Sequence, residues 1–161
     1  MCGIVGFVNE ETIENKNKNI KAMMDRIIHR GPNSSGQYVD DSVALGFRRL
    51  SIIDIEAGNQ PMYSPDGNVV LIFNGEIYNF LGLKEKLEEK GHTFLTHSDT
   101  EVLLHAYLEY GEKVVDHLRG MFGFAVWDKR EKKLFIARDH FGIKPVYYGR
   151  FGDTFMFASE I

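Results

Sequence analysis

Residues Val69-Val70-Leu71-Ile72-Phe73 form an unbroken apolar run, with Pro61, Pro65 and Gly67 before it and Asn74-Gly75 after it. So short a run between turn formers reads as a strand, and with no polar alternation it must be covered on both faces. A sheet open to water on one side cannot accommodate such a strand, so the chain must build layers on either side of it. Further strands are predicted at 4–8, 43–47, 50–53, 122–127, 134–137, 146–148 and 155–158, with turns at 128–133 and at Gly152-Asp153-Thr154. Ile20, Met23, Met24, Ile27 and Ile28 keep helical spacing, and His29-Arg30-Gly31-Pro32 supplies the stop, with Gly31 as a left-handed cap. Asn15-Lys16-Asn17-Lys18 reads as the solvated start of that helix. Two more helices are predicted over 81–89 and 100–110, the second burying Val102, Leu103, Ala106, Tyr107 and Tyr110. This order predicts an α+β fold of two mainly antiparallel sheets packed face to face, with helices outside.

The chain of 161 residues is expected to be one domain. Its net charge of −4, with no basic block, offers no general attraction to nucleic acid or to an anionic membrane. No apolar run approaches the ~18 residues of a membrane span, and Glu10, Glu11 and Glu14 are foreign to a secretory signal, so a cytoplasmic location is expected. Phe122, Phe124, Trp127, Tyr147 and Tyr148 are assigned to the core rather than to a stacking platform for bases. The six histidines show no metal-ligand spacing, and no metal is expected.

The only cysteine is Cys2. Removal of Met1 would leave a thiol and an α-amine on one residue, with reference pKa values of about 8.5 and 7.7–8. The amine can then take the thiol proton, so a single residue supplies both nucleophile and base. Attack on an amide builds an oxyanion, and the Asn74 side-chain amide with the Gly75 N–H can hold it, although Asn-Gly is equally a common turn. Arg49 can grip an α-carboxylate bidentately, while Asp99, aided by Glu76, can receive an α-ammonium. A solvated arginine face and a helix N-cap at Asp99 are the competing readings.

Met1-Cys2-Gly3-Ile4-Val5-Gly6, His29-Arg30-Gly31-Pro32, Arg49-Leu50-Ser51-Ile52, Asn74-Gly75-Glu76-Ile77-Tyr78-Asn79 and Ser98-Asp99-Thr100-Glu101 together resemble the class II glutamine amidotransferases. Arg119-Gly120-Met121-Phe122, Arg138-Asp139-His140-Phe141-Gly142-Ile143-Lys144-Pro145 and Phe157-Ala158-Ser159-Glu160 continue the series in the same order to the end of the chain. The likeness is to the N-terminal glutaminase domain of glutamine-hydrolysing asparagine synthetases. It implies a four-layer α/β/β/α sandwich of the N-terminal-nucleophile hydrolase type spanning 1–161. It also implies Cys2 as nucleophile, Asn74 and Gly75 as oxyanion hole, and a glutamine pocket of Arg49, Leu50, Ser51, Ile52, Ile53, Asn74, Gly75, Glu76 and Asp99. No cofactor is expected here; ATP and magnesium would belong to an ATP-dependent synthetase domain or subunit, and no Ser-Gly-Gly-x-Asp-Ser loop for ATP occurs in these residues. The expected partners are L-glutamine, that synthetase half and, as a further option, a second copy of the chain. A different acceptor synthetase, or a non-catalytic glutamine-binding role, remains open at this level. Arg138 and Asp139 are expected to form an internal ion pair.

Overall fold

The computed structural model describes residues 1–50 and 59–161. Strand β1 (Gly3–Val8) leads to helix α1 (Ile13–Arg26), then to β2 (Ser34–Val39), β3 (Val43–Arg49), a short β4 (Met62–Tyr63) and β5 (Val69–Ile77). Helices α2 (Phe80–Glu89) and α3 (Asp99–Tyr110) follow, then β6 (Gly120–Asp128), β7 (Lys133–Arg138), β8 (Tyr147–Phe151) and β9 (Thr154–Ala158). The strands form two antiparallel sheets, ordered β2-β3-β1-β9-β8 and β4-β5-β6-β7.

Alternation along the strands generates the layers. Ile4, Val43, Leu45 and Phe47 of the first sheet meet Val70, Ile72, Ala125 and Trp127 of the second in the central core. Val5, Phe7 and Ala44 face the other way, onto Ile20, Met24 and Ile27 around α1. Val69, Leu71, Phe73, Phe122, Phe124 and Val126 pack outward on Leu83, Leu87, Val102, Leu103 and Ala106 of α2 and α3. The apolar run of β5 is therefore covered on both faces, and each fully buried Leu or Ile contributes about 1.5–3 kcal/mol. The result is the expected four-layer α/β/β/α sandwich.

Several local readings need correction. Helix α1 begins at Ile13, two residues before the start expected at Asn15, and the Thr12 hydroxyl accepts the Asn15 N–H at 3.3 Å. Lys16 is not solvated but fully buried, its ammonium donating to the carbonyls of Glu11 and Asp41 at 2.7 Å each. Two short polar strands were not foreseen: β2 lacks apolar alternation, and β4 is only Met62–Tyr63 within the loop expected at 58–67. The helix stop continues as a 3₁₀ turn over Ile28–Arg30, and Gly31 has φ −148°, so it is not a left-handed cap. A Cβ on Gly31 would lie 2.4–2.6 Å from the backbone of Arg48 and Arg49, so the glycine is needed for close approach to β3.

In the last third, Tyr147 and Tyr148 lie exposed on edge strand β8, whereas Phe122, Phe124 and Trp127 are core as expected. Arg138 and Asp139 form no ion pair. Arg138 donates to the Gly142 carbonyl at 3.2 Å, and Asp139 gathers the N–H groups of Phe122, Phe141, Ile143 and Lys144 at 2.9–3.2 Å. Burial pushes the Asp139 carboxyl up, but those donors outweigh it and leave its pKa below the ordinary value. No helix among the described residues is long and apolar enough to cross a membrane.

Candidate active site

Cys2 lies one residue outside the β1–β3 ladder, which begins with Gly3 opposite Arg48. By alternation it points the same way as Ile4, into the space between the sheets, and it packs against the central core. Its sulfur receives the Leu50 N–H at 3.4 Å and lies 3.8 Å from the Leu50 carbonyl oxygen. Arg49, at the end of β3, has the inward parity of Phe47 and is buried, with 9% of its surface exposed. The thiol and this guanidinium thus belong to the same strand ends. Leu50 is where the structure brings it, beside the sulfur; Ser51, Ile52 and Ile53, and most of the strand expected at 50–53, lie outside the described residues.

In the second sheet, β5 runs further than its apolar stretch, through Ile77, so Asn74-Gly75-Glu76 are strand residues rather than the turn after it. They pair with Gly123, Phe122 and Met121 of β6. Asn74 shares the inward parity of Val70 and Ile72. It is 3% exposed, and its Nδ2 is buried without a hydrogen-bond partner among the described residues. An unsatisfied buried donor costs about 1–3 kcal/mol, so this amide is suited to an acceptor that the described residues do not supply.

Gly75 contributes backbone. A Cβ there would lie 2.2 Å from the Met121 carbonyl oxygen and 2.7 Å from the Phe122 Cα, so only glycine fits beside β6. Phe122 exchanges its backbone hydrogen bonds with Asp139, on the side away from β5. The Gly75–Phe122 pair is therefore of the non-hydrogen-bonded kind, and Gly75 directs its N–H to the free side of β5, as Phe73 does two residues earlier.

Gln60, which nothing in its residue type or spacing singled out, occupies that side at Phe73. Its side chain accepts the Phe73 N–H at 2.6 Å and donates to the Phe73 carbonyl at 3.1 Å, imitating one rung of a strand. The Gln60 carbonyl oxygen also abuts Gly36, where a Cβ would fall 2.0 Å away, and Gly36 is the register partner of Phe47. Gln60 thereby ties the level of Phe47 in one sheet to that of Phe73 in the other. Arg49 is two residues from Phe47, Cys2 is two from Phe47's partner Ile4, and Asn74 adjoins Phe73, so all three cluster around this tie.

Asp99 is the first residue of α3 rather than its cap; the cap is Ser98, whose hydroxyl accepts the Glu101 N–H at 3.3 Å. The Asp99 carboxylate accepts the Ile77 N–H at 2.9 Å and so stands at the end of β5. Burial raises its pKa; the N–H groups of Ile77 and Thr100 pull it down; the charge of Glu76 adds to the rise, and the net direction is up. A carboxylate short of compensating charge is a receptor for a cation such as an α-ammonium. Glu76 itself is exposed. Among the described residues, no three His, Cys, Asp or Glu side chains converge as metal ligands would.

Arg30 also adjoins Cys2, and Glu160 adjoins Arg30. Arg30 Nε donates to the Cys2 carbonyl at 3.1 Å, and its Nη1 donates to Glu160 at 2.7 Å. Both residues fall in motifs recognisable from sequence, but neither spacing nor residue type pointed to a role.

Asparagine synthetase (glutamine-hydrolysing) 1 of Bacillus subtilis strain 168 is 51% identical over 163 residues, covering 99% of this chain and 26% of that protein. Asparagine synthetase B (glutamine-hydrolysing) of Escherichia coli K12 is 41% identical over 152 residues, covering 92% and 27% respectively. The chain thus spans about a quarter of the length of these curated relatives. In fold, glutamine phosphoribosylpyrophosphate amidotransferase from B. subtilis superposes with a TM-score of 0.78 at 23% identity, covering 98% of this chain and 42% of that one. The glutamine amidotransferase domain family matches residues 1–161, from the proposed nucleophile to the last residue, and the chain belongs to that family.

Proposed function

We propose that the protein hydrolyses L-glutamine to glutamate and ammonia at Cys2, and that an ATP-dependent synthetase half uses the ammonia to amidate aspartate to asparagine. The observation that supports the glutaminase reading is the buried Asn74 Nδ2, without a partner among the described residues, near the strand ends that hold Cys2 and Arg49. The acceptor is inferred from relatives that are named asparagine synthetases. ATP and magnesium would be held by that synthetase half.

In this reading Met1 is removed and the freed α-amine takes the thiol proton. Arg49 binds the glutamine α-carboxylate, and Asp99 with Glu76 receives the α-ammonium, which leaves the side-chain amide at the sulfur. The thiolate adds to the amide carbon, and its oxygen gains negative charge between Asn74 Nδ2 and the Gly75 N–H. Preorganised donors of this kind act where charge appears in the transition state, which is why they accelerate the step. The protonated amine then gives its proton to the amide nitrogen, the C–N bond breaks and ammonia leaves. A water, deprotonated by the same amine, adds to the γ-glutamyl thioester, and glutamate departs as the thiol is restored. Ser51, Ile52 and Ile53 would complete the pocket.

The direct test is Cys2→Ala. Glutamate release falls to background while circular dichroism remains that of the wild type, and intact-mass measurement of the wild type shows loss of one methionine. Turnover retained in Cys2→Ala overturns the assignment.

A further inference from the structure

The main chain of Cys2 is held by few groups. It precedes the first ladder pair of β1, and its carbonyl, which shares the parity of Ile4 and so lies on the β9 side beyond the end of that ladder, takes Arg30 Nε at 3.1 Å. Arg30 is 8% exposed and crosses directly over Gly3, where a Cβ would stand 3.3 Å from the Arg30 Cδ. The guanidinium is itself under-satisfied. Among the described residues Nη2 is buried without a partner, and the one carboxylate paired with the guanidinium is Glu160, through Nη1 at 2.7 Å.

The chain around Glu160 grips the same strand end. The Ser159 N–H donates to the Ile4 carbonyl at 2.8 Å, and the Ser159 hydroxyl accepts the Ile4 N–H at 3.0 Å. The second oxygen of Glu160 meets His29 Nε2 at 2.7 Å, so the carboxylate is held on both sides. A rigid line therefore runs from the end of β9 through one carboxylate and one buried guanidinium to the backbone of the thiol-bearing residue.

We propose that Glu160 is a positioning residue for glutamine hydrolysis: acting through Arg30, it fixes the main chain of Cys2 so that the sulfur meets the amide carbon in attack geometry. Without the Glu160 side chain, Arg30 Nη1 loses the acceptor that holds it, and a buried guanidinium short of acceptors moves toward water. The Cys2 carbonyl then loses its donor. A displacement of about 1 Å at a reacting atom costs on the order of 10²-fold in rate. The glutamine clamps at Arg49 and Asp99 are not part of this line, so binding is spared. The inference rests on Cys2 being the nucleophile.

The experiment compares wild type, Glu160→Ala, Glu160→Gln and Cys2→Ala. Glu160→Ala is expected to lower kcat at least tenfold with KM within twofold, and to slow labelling of Cys2 by a diazoketone analogue of glutamine by the same factor. Alkylation of Cys2 by iodoacetamide, which needs an exposed thiol but no alignment in the pocket, stays within twofold. Glu160→Gln, which keeps an oxygen for Arg30 Nη1, recovers most of the lost kcat and decides the matter if the alanine variant unfolds. A kcat within twofold of wild type in Glu160→Ala, a change confined to KM, or an equal loss in Glu160→Gln overturns the positioning role. If Cys2→Ala is inactive beside an unaffected Glu160→Ala, only this inference falls; if Cys2→Ala turns over glutamine, the nucleophile assignment falls and this inference with it.

Discussion

Asn74→Ala separates a functional amide from a structural one. Asn74 Nδ2 is buried without a partner among the described residues, a burden of about 1–3 kcal/mol that truncation removes. Truncation also leaves a cavity of three non-hydrogen atoms, at a cost of about 1–2 kcal/mol. The two contributions oppose each other, so net stability should move by between about 1 kcal/mol down and 2 kcal/mol up. For a chain of this length that is a Tm between about 4 °C lower and about 8 °C higher. Activity should move far more: losing one oxyanion donor costs ~10²–10³ in kcat, equivalent to about 2.7–4 kcal/mol. Asn74→Asp controls for the cavity, because it keeps the volume but places an acceptor-only carboxylate where negative charge develops, and it should lose at least as much. The assay is glutamate release under saturating glutamine, with Tm by calorimetry on the same samples. A Tm more than ~10 °C below wild type, or kcat within tenfold of it, would show that the amide serves the fold and that its missing partner means nothing for catalysis.

Two further outcomes follow from the same physics. Lys16→Met should lower Tm by roughly 4–16 °C on calorimetric unfolding, because the carbonyls of Glu11 and Asp41 lose the charged donor that ties them together, at a net cost of about 2–4 kcal/mol, while kcat is preserved at temperatures where the variant is folded. Asp99 must be ionised to receive an α-ammonium, and its pKa is raised by burial and by Glu76, so kcat/KM for glutamine should fall as pH drops through a value above that of an ordinary aspartate. Glu76→Gln removes the like charge and should move that acid limb to lower pH; a limb unmoved in the variant would exclude Asp99 as the ammonium receptor.

The layers were legible because they follow from periodicity. The apolar run at 69–73 demanded cover on both faces, and the structure supplies the first sheet on one side and α2 with α3 on the other. What escaped was held by single polar contacts. Strand β2 is almost wholly polar, and β3 secures it by backbone pairing, which leaves no pattern in side chains. Lys16 looked solvated because lysine usually is, yet two carbonyls compensate its buried ammonium. The Asn74-Gly75 dipeptide carries a turn signature, but β6 extends the strand through it, and tertiary pairing overrides local preference. In the site, the groups with distinctive chemistry were recognisable by type: Cys2, Arg49, Asn74 and Asp99. Gln60, Arg30 and Glu160 were not, because each acts on backbone atoms whose positions only the fold defines.

On the proposed reading the nucleophile would stand at the first residue of a processed chain, a physical difficulty because termini fray unless they are tied down. Here the solution is topological. Strand β1 is the central strand of its sheet, paired to β3 over Gly3–Val8 and to β9 over Val5–Val8, with cores on both faces. The β9 ladder stops at Val5, two residues before Cys2 would be reached on that side, but Ser159 continues it to Ile4 through one side chain and one backbone N–H. Arg30 extends the restraint one step further, to the Cys2 carbonyl, and leaves the α-amine and the sulfur unencumbered by strand pairing. Restraint thus decreases residue by residue toward the reacting atoms, with the last fixed point one carbonyl short of the amine that must accept and return a proton. A longer β9–β1 ladder would secure the thiol better but would consume the backbone groups around the base, so in this fold a side-chain anchor is the arrangement that keeps both rigidity and a free amine.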